Sequence, residues 1–194
     1  MAKIKVFKEI LNDLKEYNDF LDSEKTVDSP IPVNEHKPNH PSSLHSKIEL
    51  QAARPFGNTS LSIEIQDLEN YKKYSLSILS DKYKERKCIF RYDVGSGTHR
   101  NNCPDIPLDQ QEVPTPHFHK YDDKGRFLAY QTEILKDSTQ AVHLEDVEFG
   151  TDYFSQETKI TDGNEQLPKL KIDDNSQIPF PHTDYDPNNG IKFE

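Results

Sequence analysis

Five residues near the middle of the chain have the types and spacings that chemistry asks for: Arg91, Asp93, His99, His117 and His119. In the run Ile89 to Asp93, the alternation of a strand puts Arg91 and Asp93 on one face and Phe90 and Tyr92 on the other. In Thr115 to His119 the same period sets His117 and His119 side by side, about 7 Å apart along an extended strand, with Phe118 turned to the core. If these two strands are neighbours, the turn Gly-Thr-His-Arg-Asn at 97 to 101 delivers His99 to the same place.

Two chemistries fit such a group. Histidine titrates near neutrality, so His117 and His119 could serve as base and acid in phosphodiester cleavage while Arg91 stabilises charge gathering on phosphate. That chemistry needs no cofactor. Alternatively, the H-x-H pair offers two imidazoles to a divalent metal at His117/His119, with His99 or Asp93 completing the set, although no strict metal-motif spacing is present. Against both stands a structural role: an Arg91–Asp93 ion pair beside histidines bonded to backbone or water. Other candidates are weaker. Cys88 and Cys103 lack the close pairing of a zinc knuckle and read as reduced thiols. Gly95-Ser96-Gly97 lacks the third glycine and the following helix of a phosphate loop. His36, His40 and His45 stand at mixed spacings among prolines, which suits solvated side chains.

The elements that must position these residues are legible as patterns. Residues 1–22 carry an amphipathic helix whose stripe is Ile4, Phe7, Ile10, Leu11, Leu14, Tyr17 and Leu21. Residues 23–46, with Pro30, Pro32, Pro38 and Pro41, read as a Pro/His-rich linker or wrapping arm. A core over 47–156 follows, opening with four β-prone runs of a meander that ends at Arg91-Tyr-Asp-Val-Gly. A hairpin of Thr115 to Tyr121 and Arg126 to Leu135 then turns at Asp122 to Gly125. A second helix is expected after Asp137 or Ser138, with Gly150 as a weak point, and 157–194 is an acidic extension rich in Pro and Asn that defaults to a free tail. The expected fold is α+β: an antiparallel sheet of about five or six strands packed against the N-terminal helix and the helix after the last hairpin, with extended Pro-rich arms.

Composition sets the outer bounds. A chain of 194 residues fits one domain with appendages. No apolar run is long enough to cross a bilayer and the N-terminus lacks a signal-peptide core, so the expected location is cytoplasmic, with no membrane partner. The net charge of −10 is uneven: residues 133–194 hold 5 Lys/Arg and 14 Asp/Glu, which is −9 of the total. Such a field disfavours non-specific contact with phosphates and suits either solubility or a basic partner surface.

At Arg91-Tyr-Asp-Val-Gly, His99-Arg-Asn and Pro114-Thr-Pro-His-Phe-His-Lys-Tyr121 the chain resembles an uncharacterised family encoded by bacteria, phages and other mobile elements. That family's pattern is an R-x-D strand, an H-x-N turn and a P-x-P-H-x-H-x-Y strand, and the resemblance spans residues 59 to 156. The layout is more distantly similar to TumE-type toxins of toxin–antitoxin pairs. The resemblance implies a ribonuclease with RNA as target, an antitoxin as partner, and roles for Arg91, Asp93, His99, His117 and His119. The chain departs from the pattern in its long N-terminal arm, a loop enlarged by Cys103 to Glu112, and the acidic extension. The leading expectation is thus a toxin-like or mobile-element nuclease acting on RNA. Its rival is an acidic inhibitor of the anti-CRISPR or other anti-defence kind, which blocks the basic groove of a nucleic-acid-binding defence-system protein.

Overall fold

A computed structural model describes residues 5–37, 40–84 and 87–173. Ile4, Pro38, His182 and the tail prolines Pro179, Pro181 and Pro187 lie outside the described residues. The N-terminal stripe folds as two short helices, α1 (Lys8–Asn12) and α2 (Leu14–Leu21), where one was expected. Asp13, at φ −110° and ψ 18°, interrupts them; its carboxylate accepts from Tyr83 Oη at 2.5 Å and lies 3.3 Å from Lys82 Nζ. Ile10, Tyr17 and Phe20 are the buried members of this region, although Phe20 falls outside the predicted stripe.

The strands are β1 (Lys25–Thr26), β2 (Ile31–Val33), β3 (Glu35–Lys37), β4 (His40–Ala52), β5 (Thr59–Ile65), β6 (Tyr74–Ser80), β7 (Cys88–Val94), β8 (His99–Arg100), β9 (Glu112–Val113), β10 (His117–Tyr121), β11 (Phe127–Tyr130), β12 (Ile160–Thr161) and β13 (Leu170–Ile172). The main sheet has nine strands, in the order β11-β10-β7-β6-β5-β4-β1-β12 with β3 also on β4, and is antiparallel except where β1 meets β12. It is therefore larger than the five or six strands expected. The extra strands come from segments read as arms: 23–46 supplies β1, β3 and the start of β4, and the extension supplies β12, while β2 and β13 from the same two segments pair as a separate two-stranded sheet. Pro32 fits inside β2 because the bonds to β13 fall on its neighbours: Ile31 N–H donates to Lys169 O, and Val33 O accepts from Asp173 N–H. Runs of two or three residues carry no readable period, which is why the sequence showed only prolines there.

One face of the sheet is apolar in register: Ile63, Leu76, Tyr92 and Phe118 stand opposite one another across β5, β6, β7 and β10, and all are fully buried. Each such side chain contributes roughly 2–3 kcal/mol by leaving water. The helix Val147–Thr158, α5, lays Tyr153 and Phe154 on this face, with ring centroids 5.7 and 6.5 Å from Phe118. The second strand of the hairpin, β11, ends at Tyr130, short of the predicted Leu135, because Thr132 Oγ1 caps α3 (Glu133–Lys136) by accepting from Leu135 N–H. Asp137 then caps α4 (Ser138–His143) as expected, and Asp146 caps α5 (Val147–Thr158). Gly150 is no weakness of α5. A Cβ there would fall 1.6 Å from Tyr74 Oη, which donates to Leu144 O and ties the helical layer to the sheet. Among the described residues no helix is long and apolar enough to cross a membrane.

Candidate functional site

The face of the sheet opposite α5 is polar. In the ladder β6-β7-β10, Ser75 stands opposite Asp93 and Asp93 opposite His117, while Ser77 stands opposite Arg91 and Arg91 opposite His119. Adjacency of β7 and β10, the condition on which the predicted cluster depended, is thus met, and alternation turns all six side chains to one side. Ser75, Ser77, Asp93, His117 and His119 are buried, whereas Arg91 and His99 are partly so. Ser75 and Ser77 were not among the predicted residues, although the alternation of Tyr74-Ser-Leu-Ser77 carries them.

His99 arrives from a separate two-stranded unit, β8 paired with β9, which folds back over the cluster after a turn at Gly95. Gly95 has φ +69°, and a Cβ there would lie 2.5 Å from Lys72 O, so this reversal requires glycine. Asn101 pins the unit in place. Its carboxamide accepts from Ala129 N–H at 2.8 Å and donates to Ala129 O at 2.9 Å, as a neighbouring strand would, and it also donates to Gln110 O. The enlarged loop beyond it is fastened by Arg126, whose Nη1 donates to Cys103 Sγ and Asp105 Oδ1 and whose Nε donates to Asp122 Oδ2.

All five candidate residues converge. The His99 ring lies 4.6 Å from that of His119 and 5.7 Å from that of His117, and the His117 and His119 rings are 4.9 Å apart, centroid to centroid. His119 is further held by Phe127, stacked at 5.4 Å with an interplanar angle of 15°. Arg91 directs Nε and Nη2 to the same Asp93 oxygen, Oδ1, each at 2.7 Å. Oδ2 faces the imidazoles, 3.3 Å from His119 Nε2 and 4.0 Å from His117 Nε2. His117 Nδ1 lies 3.2 Å from Pro114 O, a contact that is a hydrogen bond only when Nδ1 carries the proton and Nε2 the lone pair.

Charge follows from this packing. Burial pushes the Asp93 carboxyl up, but the bond to His119 and the Arg91 charge outweigh it and hold the group below its usual range. Burial, reinforced by neighbouring His119, pushes His117 down to about 4, and burial likewise lowers His99. Both rings are therefore neutral near pH 7. His117 is then a poor source of the imidazolium that a two-histidine acid–base mechanism needs, and a good lone-pair donor.

A cavity of about 550 Å³ does not include these residues. It lies between the loop after Asn101 and the edge strand β11, with Ile106, Val113, Lys120, Leu128 and Gln131 in its walls. Volume and chemistry point to different places: Asp109, Glu112, Lys120, Asp122 and Lys136 also line the cavity, but the direct contacts among Arg91, Asp93 and the imidazoles decide for the polar face. No family model, curated protein or solved structure matches this chain. The site is read from its own chemistry.

Proposed function

We propose that the chain is a phosphodiester hydrolase acting on RNA, with the imidazole cluster activating the attacking water and Arg91 receiving the phosphate. In this reaction a water oxygen bonds to phosphorus, one phosphorus–oxygen bond of the RNA chain breaks, and the leaving oxygen takes up the proton lost by the water. The observation that carries the reading is the convergence of three imidazoles, one carboxylate and one guanidinium on a single polar face. Arg91 is suited to its role because its side chain remains 41% exposed and can meet a phosphate while Asp93 holds it. The likeness to TumE-type toxins supports RNA as the polymer.

The rival reading, an acidic inhibitor of a nucleic-acid-binding protein, draws on the negative C-terminal third. Six of the ten acids between Glu133 and Asp173 have local work. Asp137 and Asp146 cap helices, Asp162 accepts from turn N–H groups, and Glu133, Asp152 and Asp173 pair with nearby lysines. That employment speaks for local structure over a phosphate-like array.

The hydrolase reading is tested by incubating the purified chain with single-stranded RNA at pH 7, with and without a chelator, beside its His119→Gln form. We expect cleavage by the wild type and at least about a hundredfold loss in the variant. Absence of cleavage by wild-type protein supplied with divalent ions would remove the reading.

A further inference from the structure

We propose that His99, His117 and His119 bind one zinc ion, with Asp93 Oδ2 as fourth donor and Arg91 as the positioning residue that presents it. The role of this ion in catalysis rests on the hydrolase reading above; the binding site itself rests on geometry. One donor atom from each histidine lies within 4.8 Å of the other two. Zinc–nitrogen bonds of about 2.0–2.1 Å in a tetrahedron set donors about 3.3–3.4 Å apart, so closure asks for movements on the order of 1 Å. Asp93 Oδ2 already stands 3.3 Å from His119 Nε2, and the 4.0 Å to His117 Nε2 needs only a small ring rotation.

The outer contacts are those that a metal site requires. With the proton of the neutral ring on Nδ1, His117 donates to Pro114 O and has its Nε2 lone pair on the side of Asp93. Arg91 occupies Oδ1 with two N–H groups and so leaves Oδ2 to the imidazoles. Phe127 fixes the plane of His119. Donor chemistry selects among ions: three imidazoles and a carboxylate, without thiolate, suit zinc and disfavour soft monovalent copper. Cys103 is engaged elsewhere, with Arg126 and Asp105. His99 comes from its own strand pair, so the ion would tie the β8–β9 unit to the main sheet. With four protein donors in place, a phosphoryl oxygen or a water would reach the zinc only as a fifth ligand, and there the ion would polarise the one or make the other more acidic.

The test uses the full chain, stripped with a chelator and then titrated with zinc by calorimetry and with cobalt(II) by visible absorption. We expect one ion per chain and the intense bands of four-coordinate cobalt. His99→Gln and His119→Gln should each weaken binding by at least about tenfold to a hundredfold, whereas His143→Gln, at an exposed position outside the cluster, should not. Circular dichroism checks that each variant is folded, and His99→Gln, on the outer strand pair, keeps the test open if His119→Gln unfolds. No saturable binding, or equal affinity in wild type and His99→Gln, would overturn the proposal. Zinc binding that depends on His99 without RNA cleavage would keep the metal site and remove the hydrolase reading. Cleavage by ion-free protein that binds no zinc would do the reverse.

Discussion

Phe118 stands between the two histidines of β10 and points the other way, fully buried against Tyr92, Tyr130, Tyr153 and Phe154. Truncating it should cost about 3–5 kcal/mol, read as a lower denaturant midpoint, while the imidazoles keep their neighbours on the opposite face. A loss below about 1 kcal/mol would contradict the packing described. Single-residue alternation made this much legible: from two short runs it assigns Arg91, Asp93, His117 and His119 to one side and Phe90, Tyr92 and Phe118 to the other. What it could not carry is burial. His117 is only 2% exposed because the β8–β9 unit folds over it, and a hairpin of two-residue strands has no periodic signature.

At the scale of elements, the β8–β9 unit hangs on Asn101, a residue the sequence offered only as the end of a turn. Asn101→Ala removes its bonds to Ala129 N–H, Ala129 O and Gln110 O without touching any donor of the cluster. We expect a stability loss of about 1–3 kcal/mol, and weaker zinc binding in calorimetry because His99 loses its support. Lys25 does comparable work at the far edge. It is 1% exposed and its Nζ donates to Leu21 O, Ser23 O and Thr158 O, where the C-terminal ends of α2 and α5 meet. Reading 23–46 as a linker hid it, because its partners lie up to 133 residues away. Burial, aided by the charge of Lys159, pushes Lys25 down from 10.5 to about 8. Between those values the unfolded chain holds a proton that the folded chain has released, so the group adds stability as pH rises, by about 1.4 kcal/mol per unit. Urea unfolding at about pH 8 and about pH 9.5 should therefore show a rise in wild type relative to Lys25→Met, which also leaves three carbonyls without their donor. Parallel curves for the two proteins would refute the assignment.

For the molecule as a whole, the sequence conveyed the α+β class and the meander but understated the sheet, since strands that enlarge it come from both ends of the chain and meet at β1–β12, while β2 and β13 pair as a separate two-stranded sheet. The N-terminal helices reach the site by a different route. Tyr17 Oη donates to Ile89 O at 2.9 Å and accepts from Tyr121 N–H at 3.1 Å, which places a phenol where β7 and β10 would otherwise bond directly. Its ring also meets Tyr121 at 5.6 Å, and Tyr121 meets Phe127, the ring on which His119 stacks. The direct ladder between β7 and β10 is only three residue pairs long, so this one hydroxyl closes its end. Tyr17→Phe should cost about 1–3 kcal/mol by stranding both backbone groups. In deuterium exchange the amides of 117–121 should then open sooner than those of β5 and β6, and unchanged protection there would argue against the link. On this expectation the β10–β11 hairpin opens together with the first two helices. A partner that draws α2 away from the sheet would remove this phenol and so loosen one end of β10, the strand that carries two of the five converging residues.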